Sequence, residues 1–172
     1  RKSRARLLFS AGNFLGSYYP NMLRDETLPD LDSIVVFDDQ LPGDNQGSHT
    51  DWESFLRSGD DVDAQVVSDR AQHISGDHTS DILFTSGTTG APKGVMTGHA
   101  QNIKTFASWT QSLGLNQDDR YLVISPFFHS FGYKAGILAA LMRGATLLPH
   151  DIFDPNAILE RIQKDALAVM PG

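Results

Sequence analysis

Ten consecutive residues, Thr85-Ser86-Gly87-Thr88-Thr89-Gly90-Ala91-Pro92-Lys93-Gly94, combine glycine, hydroxyl side chains and one lysine. That combination suits an anion with several oxygens. Glycine lets the backbone take positive φ and approach a ligand closely. Successive N–H groups can form a concave nest. The hydroxyls of Thr85, Ser86, Thr88 and Thr89 add donors, and Lys93 adds a compact, mobile positive charge. The same composition also fits a solvated turn. The ordering departs from the G-x-x-x-x-G-K-[ST] phosphate loop. Lys93 follows Pro92 and precedes Gly94, and proline removes an N–H and disfavours helix at the residue before it. A helix therefore cannot start at this lysine, and any phosphate is held in another geometry.

A second stretch, Pro126-Phe127-Phe128-His129-Ser130-Phe131-Gly132, follows an apolar run at Tyr121–Ile124. A histidine at a strand end stands where α/β sheets place ligands. It can hydrogen-bond a carboxylate or stack as a wall, or it can be a satisfied side chain among aromatics. Lys134 interrupts an otherwise apolar segment. Its two readings are contact with a substrate carboxylate and snorkelling to the surface, the second being favoured. The acids between Asp60 and Asp63 read as a solvated loop. His73 and His78 lack the further ligand spacing of a metal site and read as linker.

The elements that position these residues follow from periodicity. Arg6–Ser10 and Ser33–Phe37 are apolar or β-branched runs expected to be strands, the second ended by Asp38-Asp39. Gln40–His49 reads as loop. Thr50 with Glu53 fits a capping box opening a short helix. From Asp81 strands and helices alternate. Strands are expected at 81–85, 121–124, 145–148 and 167–170, and helices at 98–113, 131–142 and 155–164. On the first helix Ile103, Phe106, Ala107, Thr110 and Leu113 lie near one face. Asp154 caps the last, with Pro155 at its first position. The alternation predicts an α/β fold, a mostly parallel sheet flanked by helices.

The chain has 172 residues, net charge −7 and no cysteine. The length suffices for a domain with a real core. The acidic balance argues against a nucleic-acid surface. The absence of cysteine fits a reducing compartment, and cytoplasmic localisation is expected. No apolar run approaches the ~20 residues of a bilayer span. The basic start is followed only by Leu7-Leu8-Phe9, too short for a secretory signal. Both ends look cut through structure, so a fragment of a longer protein is expected.

The string TSGTTGAPK at 85–93 resembles the phosphate-loop signature of the adenylate-forming enzymes: acyl-CoA synthetases, luciferases and peptide-synthetase adenylation domains. Residues 126–132 resemble that family's aromatic-histidine segment beside the acyl pocket, Gly144–Leu147 the strand after it, and Val169–Gly172 the start of the next core segment. The resemblance is firm over 81–172. Residues 1–80 carry no signature and form a strand and helix segment with a linker.

The resemblance implies a partial subdomain of the large N-terminal domain of such an enzyme. It implies ATP, Mg²⁺, coenzyme A and a carboxylic acid as partners. Thr85, Ser86, Gly87, Thr88, Thr89, Gly90 and Lys93 would contact the β- and γ-phosphates, with Thr85 helping to hold the metal. His129 would act on the carboxylate or adenylate. Phe128, Phe131 and Gly132 would shape the acyl channel, or simply pack a core. The run FFHSFGYKAGILA is most similar to an actinobacterial branch that includes ligases for acids from steroid-ring degradation. The family's later signatures (Tyr-Gly-x-Thr-Glu, a ribose-binding aspartate, a C-terminal lysine) do not occur, so this chain alone is expected to be inactive as a ligase. The alternatives are another adenylate former, luciferase-like or a peptide-synthetase domain, and a non-catalytic phosphate-binding half-domain. Self-association through an exposed sheet edge is expected.

Overall fold

The computed structural model describes residues 2–37, 49–86 and 90–170. The chain divides into two compact units, residues 1–73 and 74–172.

In the first unit, strands β1 (Leu7–Ser10), β4 (Ser33–Val36) and β5 (His49–Asp51) form a parallel sheet in the order β1-β4-β5. Val35 and Val36 are fully buried on the central strand. The short strands β2 (Asn13–Phe14) and β3 (Ser17–Tyr18) make an antiparallel hairpin. Its loop, Leu15-Gly16, has positive φ at both residues, the backbone twist that suits two-residue hairpins. The expected strand end at Asp38-Asp39 and the loop over 40–48 lie outside the described residues; His49 opens β5.

Helix α1 (Trp52–Arg57) begins one residue later than the capping-box reading places it. Asp51 is the cap, its carboxylate accepting the Ser54 N–H at 2.8 Å. Thr50 is committed to the sheet, where it pairs with Val35 and its hydroxyl meets that of Ser33 at 3.3 Å. A further helix, α2 (Ala64–Gln72), replaces part of the expected linker. Asp63, read as solvated loop, caps it by accepting the Gln65 N–H at 2.7 Å. All its residues are exposed, so no apolar stripe marked it.

In the second unit, β6 (Thr79–Thr85) pairs antiparallel with β7 (Lys93–Gly98). The sequence reading left β7 unassigned. Helix α3 (His99–Leu113) starts directly after it and ends at Gly114, whose φ of +68° closes the helix in the left-handed region. Its buried face is rotated from the expected one. Asn102 and Thr110 are buried and Phe106 and Ala107 half-buried, while Ile103 and Leu113 are exposed.

Strands β8 (Arg120–Val123) and β9 (Thr146–Pro149) are parallel, and Val169 adds a parallel bridge to Tyr121. Between them a π-helical segment, Phe131–Leu138, runs into α4 (Ala139–Arg143). Helix α5 (Pro155–Lys164) is capped by Asp154 as its sequence foretells, the carboxylate accepting the Asn156 N–H at 2.9 Å. The core joins Leu115, Tyr121, Val123, Ala139 and Ala140. The buried Tyr121 hydroxyl donates to the Ala135 carbonyl at 2.7 Å. The parallel pairs bear out the expected α/β class; the β6–β7 hairpin is an antiparallel addition. No helix among the described residues is long and apolar enough to cross a membrane.

Candidate active site

The hairpin brings the two ends of the glycine-hydroxyl string together. Thr85, the last residue of β6, is the cross-strand partner of Lys93, the first of β7. Directly opposite residues of an antiparallel pair point to the same face, with Cβ atoms about 5 Å apart. A hydroxyl and an ammonium therefore share one face at the head of the hairpin. Ser86 and Gly90 flank the residues between, both exposed. Gly90 has φ of +89°, a conformation that costs glycine little and other residues more. Gly87, Thr88 and Thr89 lie outside the described residues. Gly94 stands opposite Phe84, and a Cβ there would come within 2.9 Å of the Ile82 side chain.

The His129 turn is built differently. It leaves β8 through Ser125 and Pro126, and the His129 N–H donates to the Pro126 carbonyl at 2.9 Å. The Phe131 N–H donates to His129 Nδ1 at 3.2 Å. Nδ1 thus accepts, and the proton of the neutral ring sits on Nε2. His129 is exposed, and Phe128 is 84% exposed. Phe131 instead packs edge-on against Trp109 of α3, ring centroids 5.7 Å apart. Gly132 is buried, and a Cβ on it would lie 2.3 Å from the carbonyl oxygens of both Ser125 and Pro126. The turn and the π-helical segment can meet this closely only through glycine.

Lys134 corrects the favoured sequence reading. It does not snorkel: its side chain is 8% exposed. Its ammonium donates to Asp81 at 2.9 Å, to the Thr97 hydroxyl at 2.8 Å and to the Asn102 side-chain oxygen at 3.0 Å. Asp81, 12% exposed, also accepts from Thr97 at 2.7 Å and from the Asn102 amide at 2.6 Å. Burial works to raise the Asp81 pKa, but hydrogen bonds from Lys134, Thr97 and Asn102, with the Lys134 charge, outweigh it and hold the carboxyl below its ordinary value. Asp81, Thr97 and Asn102 were not singled out from sequence. The signal was Lys134 itself, since a lysine inside an apolar helix is rarely buried without a partner. Among the described residues no group of three or more His, Cys, Asp or Glu side chains is placed to hold a metal ion.

A family model described as AMP-binding enzyme matches residues 1–172. The chain is 44% identical over 168 residues to a Mycobacterium tuberculosis protein named 3-[(3aS,4S,7aS)-7a-methyl-1,5-dioxo-octahydro-1H-inden-4-yl]propanoyl:CoA ligase, covering 98% of this chain and 32% of that protein. It is 38% identical over 177 residues to the Rhodococcus jostii protein of the same name, covering 99% and 33%. The chain thus spans about a third of the length of these relatives. Among solved structures it is similar to the anthranilate CoA ligase AuaEII in complex with anthranoyl-AMP, with TM-score 0.71 and 24% identity over 97% of this chain and 30% of that one. It is similar also to a red-emitting luciferase from Phrixothrix hirtus, with TM-score 0.70 and 24% identity over 98% and 31%. These structural likenesses establish the fold. By its sequence and its fold the chain belongs to the AMP-binding enzyme family.

Proposed function

We propose that the chain is part of an ATP-dependent, AMP-forming acyl-CoA synthetase that activates a carboxylic acid as its adenylate and passes it to coenzyme A. The observation that carries this reading is the Thr85–Lys93 rung at the head of the β6–β7 hairpin. Attack of a carboxylate on an α-phosphorus brings two anions together and expels pyrophosphate. Donors aimed at the leaving charge lower that barrier. Lys93 offers the positive charge, and Thr85, Ser86 and Gly90 offer hydroxyl and backbone donors on both sides of Gly87, Thr88 and Thr89. The Thr85 hydroxyl is the oxygen ligand suited to hold Mg²⁺, which when bound supplies further charge neutralisation. His129 presents an Nε2–H donor to the substrate carboxylate. Phe128 offers an apolar wall on the same turn.

In this reading residues 81–172 hold the phosphate hairpin and the acyl-side turn, and residues 1–80 precede them. The named relatives support an acid whose propanoyl chain is carried on a methyl-dioxo-octahydroindenyl ring, in keeping with the steroid-derived acid the sequence resemblance implies. Other segments, present in relatives three times as long, would complete the enzyme. The luciferase and peptide-synthetase alternatives are not better supported than the ligase reading. A cytoplasmic site of action accompanies the same reading. So does self-association through the hairpin, a two-stranded sheet whose Ile82, Phe84, Val95 and Met96 are exposed; monomeric sedimentation at high concentration would remove that element.

The test is thioester formation by the full-length polypeptide with ATP, Mg²⁺ and coenzyme A. The ring-bearing propanoic acid is the expected substrate, turned over well ahead of straight-chain acids. Turnover of straight-chain or aryl acids alone would reject the steroid assignment, and no thioester with any acid would reject the ligase.

A further inference from the structure

We infer that Lys134 is a positioning residue for the phosphate hairpin: with Asp81, Thr97 and Asn102 it locks the base of the hairpin to the helical segment that follows the His129 turn. The inference deepens the ligase reading and rests on it.

The network joins separate elements. Asp81 comes from β6, Thr97 from β7, Asn102 from α3 and Lys134 from the π-helical segment. All three ammonium donors of Lys134 are used, and Asp81 accepts from all three partners. A lysine so engaged has no donor left for a substrate carboxylate. What it does instead follows from where it sits.

Asp81 and Thr97 are cross-strand partners, and Thr85 and Lys93 are partners four rungs further along. At a strand rise of about 3.3 Å per residue that separates anchor and head by roughly 13 Å. Between them Ile82, Phe84, Val95 and Met96 are exposed within this chain, so the described residues give the hairpin little apolar packing along its length. Among the described residues, the polar contacts that orient it lie at the base. At the other end of the connection, Lys134 lies on the helical segment whose Tyr133 N–H donates to the His129 carbonyl at 2.9 Å. That segment lies so close to the turn that a Cβ on Gly132 would come 2.3 Å from the Ser125 and Pro126 carbonyl oxygens. One buried ammonium therefore ties the strands that carry the phosphate residues to the segment that follows the His129 turn. A buried polar network with every member satisfied rigidifies the elements it joins.

The experiment compares full-length wild type with Lys134→Gln by hydrogen exchange, with and without MgATP, and by acid-dependent exchange of labelled pyrophosphate into ATP. With Lys134→Gln, amides of 79–85 and 93–98 should exchange about tenfold faster or more while those of α5 and β8 match wild type. The KM for ATP should rise about tenfold, with the KM for the acid within about twofold, as for a displaced binding group. Unchanged hairpin exchange overturns the inference, as does faster exchange everywhere at once, or a looser hairpin with an unaltered KM for ATP. If wild type shows no acid-dependent pyrophosphate exchange, the ligase reading falls. The hairpin amides then decide the positioning role alone: slowing by MgATP in wild type but not in the variant supports it, and equal behaviour refutes it. Should Lys134→Gln fail to fold, Asp81→Asn keeps the shape of the site, removes the charge and carries the same expectations.

Discussion

The base of the β6–β7 hairpin and the His129 turn are both built from polar groups, yet they treat them in opposite ways. At the base, Asp81, Thr97, Asn102 and Lys134 are largely buried and satisfy one another. At the turn, His129 spends Nδ1 on the Phe131 N–H, keeps Nε2 as a donor, and stands exposed beside an exposed Phe128. The first arrangement fixes geometry and leaves nothing over for a ligand. The second leaves its working atom outward. The head of the hairpin resembles the turn more than the base, since Thr85 and Lys93 are exposed and share a face. Polar residues here thus divide into those that hold and those that reach.

That division can be broken experimentally. The largest effect is expected from Lys134→Met, which leaves Asp81 as a buried, unpaired carboxylate. Loss of one partner of such a pair costs about 3–5 kcal/mol. Denaturant unfolding should register it, and a loss under about 1 kcal/mol would place the pair among surface bridges. Next comes Gly132→Ala, whose new Cβ meets backbone oxygens at 2.3 Å. Overpacking against backbone costs about 1–3 kcal/mol or more. A variant of wild-type stability would mean that the turn and the π-helical segment are not locked together.

Acid should weaken the base, along with the contacts of the other carboxyls held below their ordinary value, Asp51 and Asp165. The folded-state pKa of Asp81 lies below its ordinary value of 3.8. Its contribution to stability is therefore complete above pH 3.8 and is lost as pH falls further, through the lowered folded value. Asp81→Asn should flatten this part of the stability–pH curve, and an unchanged acid limb would contradict the assignment. The smallest stability effect belongs to Phe128→Ala, with 84% of Phe128 exposed. Its melting should stay within about 0.5 kcal/mol of wild type while the acid KM rises. Marked destabilisation would make Phe128 a packing residue.

Much of the fold was legible because local signals and burial agreed. Val35 and Val36 form the β-branched centre of a strand that is in fact buried. Asp154 and Pro155 mark the start of α5 to the residue. The parallel class followed from the alternation after Asp81. What escaped notice had no local signal or a misleading one. Strand β7 contains Gly94 and Gly98 within six residues, so it reads as an extension of the loop until pairing with β6 defines it. Helix α2 is exposed on all sides and is announced only by its Asp63 cap. The rotated face of α3 reflects Asn102, drawn inward by Asp81 and Lys134 against its hydrophilicity. Lys134 itself was conspicuous, but Thr97 and Asn102 lie 37 and 32 residues away along the chain, a conjunction that only tertiary structure creates. The phosphate residues were legible as a string; their meeting as Thr85 opposite Lys93 was not, since it depends on the unassigned strand.

The claim that this rung grips the leaving pyrophosphate is tested most directly by acid-dependent exchange of labelled pyrophosphate into ATP, comparing the full-length polypeptide with its Lys93→Ala variant. Lys93 is exposed, so the variant should fold and melt as wild type does. The account predicts exchange in wild type that requires the acid, and a loss of about 100-fold or more in the variant, the scale set by removing a group aimed at developing charge. Exchange by Lys93→Ala at the wild-type rate would contradict it.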